Sequence, residues 1–157
     1  MAQKDKIYES LTEALQKPDQ VYQLRLSNQK LKTLSPSISK LKNLTNLWLD
    51  GNNLTSLPPQ IGDLSNLQYL WIDNNQIVQL PHEIGKLSNL ILLAANNNLL
   101  QTLPASFHQL INLIDLDLSE NKFITFPSSV YQLSEPTCIS ITISLFRYLK
   151  KSGRLEI

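Results

Sequence analysis

The sequence predicts an α/β repeat fold, a solenoid of short stacked coils in which each coil adds one strand to a shared sheet. Three observations carry that prediction. Apolar residues recur every 23 residues through five successive copies. Within each copy, core positions two apart mark a strand. Both ends of the chain depart from the repeat, as the ends of a stacked array must.

Residues 1–20 form the expected N-terminal cap. Ser10-Leu11-Thr12-Glu13 matches a capping box, and Leu11, Ala14 and Leu15 fall on one helical face before Pro18 stops the helix. A short helix is therefore expected to cover the first coil.

Residues 21–135 hold the five copies, which begin at Val21, Leu44, Leu67, Leu90 and Leu113. The fourth position reads Leu24, Leu47, Leu70, Leu93, Leu116 and the sixth Leu26, Leu49, Ile72, Ala95, Leu118. The ninth reads Gln29, Asn52, Asn75, Asn98, Asn121 and the eleventh Leu31, Leu54, Ile77, Leu100, Phe123. Later in each unit Ile38, Ile61, Ile84, Phe107 and Val130 recur, then Leu41, Leu64, Leu87, Leu110 and Leu133. One coil cannot bury such an apolar face alone, so neighbours must stack into a continuous core. The ninth-position asparagines are expected to form a buried ladder that bonds the backbone of adjacent coils. Ala95 stands where the neighbouring copies carry Leu49, Ile72 and Leu118. The missing carbons predict a void that Phe107, Phe123 and Phe126 fill in part.

Residues 136–157 keep the pattern in weakened form. With Pro136 as first position, Ile139, Ile141, Phe146 and Leu149 occupy the fourth, sixth, eleventh and fourteenth, and Ser144 replaces the asparagine. A degenerate sixth coil is expected to close the core, followed by a polar end at 150–157.

The unit LxxLxLxxNxLxxLPxxIxxLxN resembles that of leucine-rich-repeat proteins, over residues 21–135. The N-terminal stretch Leu11 to Pro18, continuing through Gln29 to Leu34, is similar to the short repeat proteins of Leptospira-type spirochaetes. The resemblance implies a right-handed solenoid with a concave parallel β-sheet, a short N-terminal capping helix and a degenerate C-terminal capping coil. The narrower similarity implies an exported, host-interacting role; the broader one is compatible with an intracellular adaptor.

Third, fifth, seventh and eighth positions project from the concave strands, because successive strand side chains alternate between faces. Both tryptophans of the protein, Trp48 and Trp71, fall at fifth positions of adjacent copies, and Tyr69 and Leu92 at third positions extend them into an apolar patch. Around the patch lie Asp50, Asp73, Asp115, Asp117 and Glu120, against one cation, Arg25. Aromatic anchors with a charged rim are the composition of binding hot spots. The expected partner is another protein or peptide, through a segment with basic and apolar side chains. Carbohydrate stacking on Trp48 and Trp71, with Asp50, Asp73 and Asn74 bonding hydroxyls, is the alternative. A plain cross-strand stack of the two indoles is the structural reading of the same residues.

Composition narrows the remaining classes. Formal charge is +1, with most lysines gathered toward the two ends and an acidic sheet face, which argues against nucleic acid. No apolar run approaches the roughly 20 residues of a membrane span. The single cysteine, Cys138, forms no internal disulfide and no thiolate metal cluster. Asp115 and Asp117 share a strand face but lack a cleft, and His82 and His108 lie on the returning side of their coils, so no enzymatic activity, metal or cofactor is expected. No phosphate-loop, dinucleotide or metalloprotease motif occurs. Asn43-Leu44-Thr45 and Asn53-Leu54-Thr55 match glycosylation sequons but arise from ordinary repeat positions. The chain is expected to be a monomer. Its opening residues Met1 to Lys6 contain no signal-like apolar segment, so it is expected to be cytoplasmic or to have lost an export signal.

Overall fold

In the computed structural model, which describes residues 3–131, 133 and 140–142, the strands form one parallel sheet in strict sequence order, β1 to β7. β1 (Ile7–Tyr8) precedes helix α1 (Leu11–Ala14); β2 (Gln23–Arg25), β3 (Asn46–Trp48), β4 (Tyr69–Trp71), β5 (Leu92–Ala94) and β6 (Asp115–Asp117) follow at the repeat spacing. Helix α2 (Ser128–Tyr131) and β7 (Ser140–Thr142) close the described part. Among the described residues no helix is long and apolar enough to cross a membrane.

Each repeating coil runs from its strand through a tight turn to a 3-10 helix, at Pro36–Lys40, Pro59–Asp63, His82–Lys86 and Ala105–Gln109. Proline sets the entry: Pro58, Pro81 and Pro104 precede their helices with φ of −68°, −66° and −64°, the angle its ring imposes. Ser35 takes that place in the first repeat and caps by its side chain, its Oγ accepting from Ser37 N at 3.3 Å.

Among the described residues the apolar positions read from the repeat lie inside the core or at its edge. Leu24, Leu47, Leu70, Leu93 and Leu116, the middle residues of their strands, are each 0% exposed. Ile38, Ile61, Ile84 and Phe107 back them from the 3-10 side, while Leu31, Leu103 and Phe126 are partly buried at the edge of the same cluster. Phe107 and Phe123 are the largest fully buried side chains, in the same core as Ala95.

The asparagine ladder forms as expected. Asn52, Asn75, Asn98 and Asn121 are buried, and each Nδ2 donates to the carbonyl three residues earlier and to one 26 residues earlier. Each Oδ1 accepts a backbone N–H of the preceding coil: Leu31, Leu54, Ile77 and Leu100, all at 3.0 Å. Gln29 departs from the ladder; it is exposed, and its Nε2 donates to Glu9 O. A second ladder runs where the coils enter their strands, with Asn43, Asn66, Asn89 and Asn112 each donating to a carbonyl 24 residues earlier. The Asn43 amide, the acceptor atom of one sequon, is thereby engaged with Asp19 O at 2.8 Å.

The two caps differ from expectation. The N-terminal cap contains a helix, with Ser10 Oγ accepting from Glu13 N at 3.4 Å, but it also contributes a strand. Ile7 pairs with Gln23 and Tyr8 with Leu24, so the buried Tyr8 ring occupies the place of a fourth-position leucine. Glu13 turns outward and binds Lys6 Nζ at 2.9 Å. At the other end the frame moves by two residues. Leu116 pairs with Ile141, Asp115 with Ser140 and Asp117 with Thr142, where the repeat frame placed Ile139, Cys138 and Ser140. The tract Ile139-Ser140-Ile141-Thr142-Ile143 alternates with period two, so a shift of two residues keeps every side chain on its face and periodicity cannot choose between frames. Cys138, Ile139, Phe146, Leu149 and the rest of the expected sixth coil, apart from residues 140–142, lie outside the described residues.

Candidate functional site

Strand alternation and the parallel register arrange the solvent face of the sheet in rows. Gln23, Asn46, Tyr69, Leu92 and Asp115 are Cα partners along one row, and Arg25, Trp48, Trp71, Ala94 and Asp117 along the next. The buried leucines between the rows anchor this orientation.

The register brings the tryptophans face to face. Their ring centroids lie 4.7 Å apart and their planes within 3°. Tyr69 joins at 5.9 Å and 15° from Trp71, and the Arg25 guanidinium carbon lies 5.0 Å from the Trp48 ring centroid. Trp48, Trp71, Tyr69 and Leu92 are half-buried, Arg25 exposed. The structure therefore brings the expected aromatic patch together, and the cross-strand stack is present within it. Because the rings stack across strands, their faces look along the sheet and their edges toward solvent.

The acids divide into two groups. Asp50, Asp73 and Asp117 bond within the turn after the strands. Asp50 Oδ1 accepts from Ser27 Oγ at 2.6 Å, Asp73 Oδ1 from Asn96 N at 2.9 Å, and Asp117 Oδ1 from Ser119 N at 2.9 Å and Ser119 Oγ at 2.6 Å. Asn96 Nδ2 links to Ser119 Oγ at 2.9 Å, so neighbouring coils share one polar row. Burial raises the Asp73 carboxyl pKa above its usual value; bonds to the Asn96 and Asp73 backbone oppose this, and repulsion from Asp117 and Asp50 adds to it. Asp115 and Glu120 are exposed.

The eighth position is a backbone device. Asn28, Gly51, Asn74, Asn97 and Glu120 all have positive φ, between 51° and 67°. Asparagine and glycine tolerate this left-handed conformation, which explains their recurrence there. Asn74, considered in the sugar reading, also accepts from Asn97 Nδ2 at 2.9 Å.

The sequence reading missed one feature. At the edge where coils enter their strands, an open recess of about 510 Å³ is lined by Lys4, Asp5, Tyr22, Gln23, Thr45 and Gln68 together with three asparagines of the second ladder. Its signal was the recurring asparagine at the end of each unit. His82 and His108 are exposed on 3-10 helices of the returning side, as expected.

A one-layer stack of coils with an open sheet face and a second face of 3-10 turns defines the class, a repeat solenoid scaffold. Comparison with family models matches "Leucine-rich repeat region" over residues 59–141 and "Leucine rich repeat" over residues 19–77. The chain belongs to the leucine-rich-repeat family, whose domains are in general protein-binding, non-enzymatic scaffolds. It is of the bacterial type. Among solved structures it is similar to a leucine-rich-repeat protein of Leptospira interrogans, with 34% identity and TM-score 0.65 over 82% of this chain and 45% of that one. It is similar to internalin C2 of Listeria monocytogenes, with 27% identity and TM-score 0.73 over 87% of this chain and 57% of that one. It also resembles the ectodomain of the Arabidopsis thaliana receptor kinase GASSHO1/SCHENGEN3, solved in complex with CASPARIAN STRIP INTEGRITY FACTOR 2, at 34% identity and TM-score 0.60 over 78% of this chain and 14% of that one. The chain thus spans about half the length of the two bacterial proteins. A search of curated proteins finds no match.

Proposed function

We propose that the chain is a non-catalytic binding module that takes a segment of another protein on its concave strand face, through basic and apolar side chains of the partner. The observation that carries this reading is the half-exposed Trp48, Trp71 and Tyr69 cluster, continued by Leu92 and bordered by Asp115, Asp117 and Glu120. Apolar area in the middle supplies affinity, and the acidic border supplies orientation and charge preference. The plant receptor neighbour is a leucine-rich-repeat ectodomain solved with a bound factor, which supports a binding role for this architecture.

Stacking removes Trp48 from the sugar reading and leaves it only the face of Trp71 turned from Trp48. Sugar C–H groups dock on an aromatic face, and Trp48 carries Arg25 on one face and Trp71 on the other. The test is affinity capture with the wild-type chain and with the Trp48→Ala/Trp71→Ala variant, each checked for an unchanged melting profile. Proteins retained by the first and lost by the second support the reading. Equal retention moves binding to another surface, and tryptophan quenching by oligosaccharides, insensitive to salt, replaces the protein partner with a glycan.

A further inference from the structure

The tryptophan pair is capped by this chain at one end, has only an alanine as its row partner at the other, and is bordered on β4 by Tyr69. On the β2 side this chain's own guanidinium covers it, with Arg25 Cζ 5.0 Å from the Trp48 centroid. On the β5 side the Cα partner of Trp71 is Ala94, whose methyl group is too short to cover an indole. The next partner along the same row is Asp117 on β6. Trp71 and Asp117 are therefore two strand spacings apart, about 9.6 Å, with an alanine as the floor between them. Asp117 satisfies both groups of Ser119 through Oδ1 alone, and its Oδ2 makes no hydrogen bond among the described residues. Asp115 stands exposed on the same strand face.

We infer that this gap receives an arginine side chain of the partner, its guanidinium stacked on the Trp71 face toward Ala94 and paired in charge with the Asp117 carboxylate beyond it. The inference rests on the protein-binding reading and makes it specific. The span leaves room for one planar group at stacking distance, about 3.5–4 Å from the indole, with the Asp117 carboxylate beyond it close enough for charge attraction. Cation and ring attract through the ring quadrupole, and the carboxylates supply the opposite charge. Lysine fits less well: its ammonium is a compact, strongly hydrated point charge that does not stack as a plane. The contact repeats, with a guest guanidinium, the one that Arg25 makes with Trp48.

The test is a titration followed through the two indole N–H signals in proton–nitrogen NMR spectra. The probes are N-acetyl-arginine methylamide, its lysine analogue and its uncharged citrulline analogue. The expected result is a saturable shift of the Trp71 signal by the arginine probe, about five- to tenfold tighter than lysine and absent for citrulline. Ala94→Leu fills the gap and Asp117→Asn removes the charge; both fold with wild-type melting curves and lose the response. The slot is overturned by equal responses to arginine and citrulline, by a response that survives Ala94→Leu, or by no saturable shift. If the probe fails while a captured protein still depends on Trp71, the slot falls and the binding reading stands. If that dependence fails as well, the reading itself falls.

Discussion

The side-chain amide of Asn75 donates to the carbonyl of Leu49, 26 positions earlier in the chain, at 3.0 Å. The same side chain holds the Ile72 carbonyl at 3.0 Å and receives the Leu54 N–H at 3.0 Å. One asparagine with a buried side chain thus ties two coils together. Replacing Asn75 with Ala leaves the Leu54 N–H without its partner, while the Leu49 and Ile72 carbonyls keep Asn52 and Asn98 as donors, at a cost of about 1–3 kcal/mol. Urea denaturation measures it; a loss below about 0.5 kcal/mol shows that water has replaced the amide.

That ladder was legible because its physics is local and repeated: one residue type, one spacing, one unmet backbone need. The strand faces were legible for the same reason, since Leu47 and Leu70 inside require Trp48 and Trp71 outside. The first strand was not. Ile7 lies 16 residues before its partner Gln23, so no search at the 23-residue period reaches it. Nor did the acids declare their neighbours. Asp50 and Asp73 look like rim charges until the turn bends Ser27 and the Asn96 N–H onto them.

Glu120 adopts φ 52° where the preceding coils carry Asn28, Gly51, Asn74 and Asn97. Glutamate has no short polar group to satisfy this turn locally, and its Cβ crowds the carbonyl. Glu120→Asn is expected to stabilise the fold by about 1 kcal/mol. Thermal unfolding checks it: the melting temperature rises by about 2–4 °C. A fall would mean that the glutamate side chain makes a compensating contact.

Asp73 carries a pH dependence of defined sign. Its carboxyl pKa is raised in the folded chain, chiefly by burial, so ionisation is the step the fold opposes. Stability linked to this group is fully present below the unfolded carboxyl value, near 3.9, and is lost as pH rises through the folded one. Asp73→Asn keeps an oxygen for the Asn96 N–H and removes the charge. The variant is therefore expected to melt above wild type at pH 7, with the advantage shrinking toward pH 3. An advantage that stays constant with pH refutes the assignment to Asp73.

Ala95 is 0% exposed, and its carbonyl accepts from both Asn98 and Asn121, so its backbone is fixed from two coils. Its row neighbours in the repeat are Ile72 and Leu118, also 0% exposed. Ala95→Leu restores the side-chain size of those neighbours and is expected to leave the melting temperature unchanged or raise it. Overpacking typically costs about 1–3 kcal/mol. A loss of that size shows that Phe107 and Phe123 already fill the space.

Trp71 separates binding from stability. Its stacking on Trp48 is a cross-strand pair, worth about 0.2–1 kcal/mol to the fold. A central aromatic anchor is worth about 2 kcal/mol or more to a complex, or roughly 30-fold in affinity. Trp71→Ala is therefore expected to move the melting temperature by at most about 4 °C while partner affinity falls by at least that factor. Affinity should also drop as salt rises from 0.05 to 0.5 M (an order-of-magnitude range), because Asp115 and Glu120 are exposed and their pairing with a basic partner is screened. The ratio of the two losses is what discriminates. Equal loss of stability and binding would make the indole pair a structural brace, and salt-insensitive affinity would remove the acidic border from recognition.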